Sequence, residues 1–91
     1  MAERTATIAS TVGLHARPAA IFAEAAAEQP VEVTIAAEGT PAEEAMDASS
    51  ILSLMGLGAG HGDRVVLRAE GAGAEEALDA LVKILETNHD A

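Results

Sequence analysis

"DRVVLRAEGAGAEEALDALVKILET", residues 63–87, changes its apolar period halfway along. Over residues 63–70, Val65, Leu67 and Ala69 recur at every second position, the spacing of a strand with one buried face. The glycines of "GAG" then interrupt the chain. From residue 74 to 87, Ala74, Leu78, Leu81, Val82 and Leu85 share one side of a helix, with acidic residues on the other. A half-buried strand followed by an amphipathic helix calls for a sheet with helices laid on one of its faces.

Working outward, the rest of the chain supplies matching parts. Residues 5–9, "TATIA", alternate with Ala6 and Ile8 on one face, and residues 31–37, "VEVTIAA", put Val31, Val33 and Ile35 inward and Glu32 and Thr34 outward. Between them, Ala19, Phe22, Ala23 and Ala26 mark the buried stripe of a helix over residues 16–28. Pro18 lies in its first turn, where a missing amide costs nothing, and Pro30 closes it. "EGTP" signals a turn. Residues 45–48, "AMDA", make a short strand with Met46 expected inward. A further helix is expected to start at Ser49 or Ser50, either of which can cap it, and to end at Gly56 and Gly58. The predicted fold class is α+β: an open-faced β-sandwich in which a four-stranded antiparallel sheet is covered on one face by three helices, in the order β-α-β-β-α-β-α. One domain spanning residues 1–91 is expected, a size that suits a single core.

Composition narrows the functions. Hydrophobic residues make up 49% of the chain, but many are alanines and Phe22 is the only aromatic, so the core must be closely spaced. With no cysteine, disulfides and thiolate metal sites are excluded. The start of the sequence lacks the apolar run of a signal peptide, and no stretch approaches the ~20 apolar residues of a membrane span. A cytoplasmic protein without membrane insertion is the simplest expectation. A formal net charge of −10 disfavours nucleic acid, whose phosphates would be repelled.

The placement of charge is more informative than its sum. Fifteen acidic residues are spread over the chain, yet none lies between Arg4 and Ala23, or between Ala48 and Gly62. Segments free of carboxylates are natural walls for an anion site, because a like charge nearby would oppose a bound phosphoryl group. Burial alone would also explain such gaps. In the first gap, however, "TVGLHARPAA", residues 11–20, holds His15 between Gly13 and Pro18, with Arg17 two positions on, in a chain of only five basic residues.

These residues carry a resemblance. "GLHARPA", residues 13–19, followed by "SSILSLMGLG", residues 49–58, and by the closing "EGAGAEEALDALVKIL", residues 70–85, resembles HPr, the histidine-containing phosphocarrier family of the bacterial phosphotransferase system. The likeness covers essentially the whole chain. It implies that Enzyme I, charged from phosphoenolpyruvate, phosphorylates His15 on Nδ1, and that His15 passes the group to the IIA component of a sugar permease. The family's open-faced sandwich agrees with the order of elements read above.

The chemistry fits these residue types. Phosphoryl transfer needs positioning and charge stabilisation more than covalent work by the carrier. His15 precedes the helix expected at Ala16, so the first-turn amides of Ala16 and Arg17 would point toward a group attached to it. The positive end of the helix disfavours imidazolium, which keeps the ring neutral and nucleophilic. Arg17 can meet phosphoryl oxygens with two parallel hydrogen bonds. Pro18 stiffens the first turn, and Gly13 lets the strand turn sharply into the helix. His61 and His89 receive no role.

The second predicted helix holds Ile51, Leu52, Leu54, Met55 and Leu57 within seven positions. One stripe can hide Leu54, Leu57 and part of Ile51. Leu52, Met55 and the outer part of Ile51 should be exposed as a docking surface, extended by Ile21. Ser50 matches the position that some HPr proteins present to a regulatory kinase, and phosphate there would place negative charge on that surface. Relatives often carry a basic residue before this serine, where this chain has Ser49. They also often carry lysines on the first helix, where this chain has Glu24 and Ala27, and residues 38–48 are longer and more acidic than usual. With no P-loop, paired carboxylates or metal-ligand cluster in the sequence, neither an enzyme nor a cofactor site is expected. The expected protein is a monomeric carrier whose partners are Enzyme I and IIA domains. The alternative is a regulatory module acting through Ser50 and the second helix, with a serine kinase and a transcriptional regulator as partners. A structural domain with no phosphoryl group is the third reading.

Overall fold

The computed structural model describes residues 2–9 and 16–87. Its elements run β1 (Ala2–Thr7), α1 (Ala16–Ala27), β2 (Val33–Ala37), a 3-10 turn (Ala42–Glu44), β3 (Met46–Asp47), α2 (Ile51–Leu57), β4 (Arg64–Ala69) and α3 (Ala74–Leu85). The four strands form one antiparallel sheet in the order β1-β4-β2-β3. The expected architecture is therefore present.

Alternation in β4 sets the register. Leu67 lies between Arg4 of β1 and Ile35 of β2, and Val65 between Ala6 and Ala37. Residues paired across antiparallel strands point to the same side of the sheet. Ala6, Ile35, Val65, Leu67 and Ala69 thus make the inner face, on which Phe22 from α1, Leu54 from α2 and Leu78, Leu81 and Leu85 from α3 close the core. Phe22 is fully buried, and a side chain of that size contributes about 1.5–3 kcal/mol by leaving water. The alanines Ala19, Ala23 and Ala26 of α1 are buried beside it, so the helix approaches its neighbours closely.

Local chemistry fixes the element ends. Of the two candidate caps for α2, Ser50 is the one used: its Oγ accepts from the Ser53 amide at 3.2 Å. Gly58 ends the helix at φ 72°, a left-handed conformation that favours glycine. In α3, Glu75 and Glu76 sit in the first turn and Lys83 in the last, matching the helix dipole at both ends. Arg4 ties β1 to α3 through Asp79 at 3.0 Å and Glu75 at 3.6 Å.

Several boundaries and burials differ from expectation. β1 begins at Ala2, because Arg4 finds carboxylates on α3 and Glu3 finds Arg68 on β4 at 2.8 Å, contacts no local pattern announces. Val31 precedes β2 and is only half-buried. Met46 pairs with Ile35 and so shares the inner side, but β3 is a two-residue edge strand and Met46 remains 37% exposed. Ala48, just beyond it, is the buried residue. Ala36 and Val66, paired on the side away from the helices, are nonetheless buried, since both belong to the inner strands β2 and β4. No helix among the described residues is long and apolar enough to cross a membrane.

Candidate functional site

His15 and Gly13 lie outside the described residues, as does His89. Chain connectivity alone places His15 immediately before α1, whose first turn contains Ala16, Arg17 and Pro18. That turn holds no acidic residue. Pro18 is buried, which anchors the turn against the core, whereas Arg17 is exposed.

The arginines of this chain divide into two kinds. Arg4 is held by Asp79 and Glu75, Arg64 by Glu38 at 3.5 Å, and Arg68 by Glu3 at 2.8 Å. Arg17 has no carboxylate partner among the described residues. In a chain with three acidic residues for every basic one, a guanidinium left without a carboxylate is uncommon. A guanidinium carries five N–H donors in a planar fork that matches carboxylate and phosphate oxygens.

The apolar residues of α2 separate as their helical positions require. Leu54 is fully buried and Leu57 half-buried, while Leu52 is 84%, Ile51 44% and Met55 43% exposed. Ile21 is half-buried on α1. A groove lined by Ala26, Ala27, Asp47 and Ser49, among others, shows that the last turn of α1 lies beside the start of α2. Ala20 and Ala27 lie on the flank of α1 that faces this way, and both are exposed. Ile21 lies round the helix on the other flank. The exposed alanines were missed in the sequence because alanine gives so weak an apolar signal. His61 is exposed in the turn between α2 and β4.

Ser50 stands in a small hydrogen-bonded turn. The Asp47 carboxylate accepts from the Ser49 hydroxyl at 2.7 Å and from the Ser49 amide at 2.9 Å, and the Ser50 amide donates to the Asp47 carbonyl at 3.2 Å. The Ser49 hydroxyl and then its amide hold the Asp47 carboxyl below its ordinary value, against a slight desolvation. An ionised carboxylate thus sits three residues before Ser50.

The comparisons with known proteins agree along most of the chain. The family model for the HPr component phosphorylation site of the phosphotransferase system (PTS) matches residues 2–87. Phosphocarrier protein HPr of Streptomyces coelicolor is 48% identical over 68 residues, covering 74% of this chain and 69% of the relative. That of Haloferax volcanii is 45% identical over 85 residues, 93% of each chain. Among solved structures, the phosphocarrier protein HPr of Bacillus anthracis aligns with a TM-score of 0.82 at 32% identity, covering 92% of this chain and 95% of that one. Sheet order, helix placement and sequence therefore lead to one conclusion: this chain belongs to the HPr family of the phosphotransferase system, a family of phosphocarriers rather than of catalytic enzymes.

Proposed function

We propose that the chain relays a phosphoryl group on His15, taking it from Enzyme I and giving it to the IIA component of a sugar permease. The observation that carries this reading is Arg17, which has no carboxylate partner among the described residues and lies in the first turn of the helix that follows His15. In the accepting step, the Nδ1 lone pair of His15 attacks the phosphorus of the donor's phosphohistidine. A nitrogen–phosphorus bond forms as the donor's breaks, and the bonding pair returns to the donor ring. The donor ring takes up a proton equivalent as the acceptor ring gives one up. Arg17 and the first-turn amides of Ala16 and Arg17 balance the charge on the three phosphoryl oxygens. Pro18, buried beneath the turn, holds those amides in direction. Release to IIA is the same step in reverse, so the carrier works as a monomer that leaves one partner for the next. The exposed face of α2 serves as the docking surface for both.

The test is incubation with labelled phosphoenolpyruvate and catalytic Enzyme I. The expected product is an acid-labile phosphoryl group on the wild-type chain, absent from His15→Ala and formed at least about 100-fold more slowly by Arg17→Ala. Absence of label on the wild type would overturn the reading. The regulatory reading predicts an acid-stable label on Ser50 instead. A phosphate there would be tolerated by the N-terminus of α2, which Ser50 caps, and would place negative charge on the docking face.

A further inference from the structure

β1 stands at the edge of the sheet, paired only with β4. In an antiparallel pair, the backbone groups of alternate residues point to the partner strand and those between point away from it. The Ile8 amide donates to the Asp63 carbonyl at 2.9 Å, in line with β4, while the Arg64 carbonyl, opposite Thr7, accepts from Glu38 on the side of β2. Even-numbered residues of β1 therefore bond into the sheet. The odd-numbered ones, Glu3, Thr5 and Thr7, turn their amides and carbonyls to the open edge, a template on which another strand can form.

Two of these edge groups are already taken by charged side chains. Glu86 Oε2 accepts from the Thr7 amide at 3.4 Å, and Arg4 Nη1 donates to the Glu3 carbonyl at 2.9 Å. Glu86 caps the C-terminus of α3, where the helix dipole disfavours a carboxylate, so the helix gives no reason for an acid there. The strand's own sequence identifies what is being kept off. An antiparallel copy centred on Thr5 would set Thr5 opposite Thr5, Glu3 opposite Thr7 and Arg4 opposite Ala6, with no like charges facing. Its ladder would run from the Thr7 amide of one copy to the Glu3 carbonyl of the other, and back. Those are the two groups that Glu86 and Arg4 occupy. We propose that Arg4 and Glu86 close the edge of β1 against the same strand of a second copy of this chain, and that without them the sheet continues across a two-fold axis at Thr5.

The experiment is sedimentation equilibrium of the full chain. At a concentration where the wild type is a monomer, the variant carrying both Arg4→Ala and Glu86→Ala should show about twice the wild-type mass. Adding Thr5→Pro removes the central edge amide while leaving the ladder to β4 intact, and should return the mass to that of the wild type. Arg4 also ties β1 to α3, so the double variant is checked for folding by circular dichroism. Glu86→Ala alone spares those ion pairs; it should self-associate more weakly than the double variant, and it decides the matter if the double variant unfolds. A wild type that is itself dimeric overturns the proposal, as does a Glu86→Ala chain that stays monomeric at every concentration beside an unfolded or monomeric double variant. A dimer that survives Thr5→Pro overturns it too, because the contact would then lie elsewhere.

Discussion

Two helices lie on the same sheet and use their apolar residues in opposite ways. In α3, Ala74, Ala77, Leu78, Leu81 and Leu85 are buried and every acidic residue faces water. In α2, only Leu54 is fully hidden, and Ile51, Leu52 and Met55 stand outside without a charge among them. A helix made only to stabilise the fold would look like α3. The contrast shows that apolar content alone does not measure contribution to the core: α2 leaves three large apolar side chains in water where α3 hides its own.

The comparison breaks most readily at its buried side. Leu78→Ala should cost about 2–5 kcal/mol of stability, read by urea unfolding, whereas Leu52→Ala should change stability by no more than about 0.5 kcal/mol and instead weaken transfer from Enzyme I. Equal losses of stability would show that the two helices do not differ as described. A smaller effect comes from the start of α2. Ser50→Ala should destabilise the chain by about 1 kcal/mol through loss of its cap to Ser53, without change in the acid lability of the histidine label. Smaller still is Asp47→Asn. Folding lowers the pKa of this carboxyl, so its contribution is full above the ordinary carboxylate range and is lost as pH falls through the folded value. The variant should therefore be slightly less stable than the wild type near neutral pH, and the difference should vanish in acid. A difference that grew in acid would contradict the hydrogen bonding to Ser49.

The contrast between α2 and α3 was legible in the residues because five large apolar side chains in a seven-residue helix exceed what one stripe can hide. Likewise, the alternation in β4 and the period of α3 were enough to specify an antiparallel sheet with helices on one side. Short elements were harder to read. A two-residue strand has no alternation to detect, so the partial exposure of Met46 depended on its place at the sheet edge. The burial of Ala36 and Val66 followed from strand order, which local pattern does not encode. For the candidate site, the missing carboxylates around Arg17 were visible in the sequence. That the other arginines are each engaged by acidic groups distant in the chain became visible only in three dimensions.

Strand order has one more consequence. β1 pairs with β4, Arg4 reaches Asp79, and the Ala9 amide donates to the Leu85 carbonyl at 3.0 Å. Residues 2–9 are thus fastened to α3 and β4, far along the chain. During synthesis, a ribosome must deliver Leu85 before the opening strand can take all of these partners, so that strand settles late.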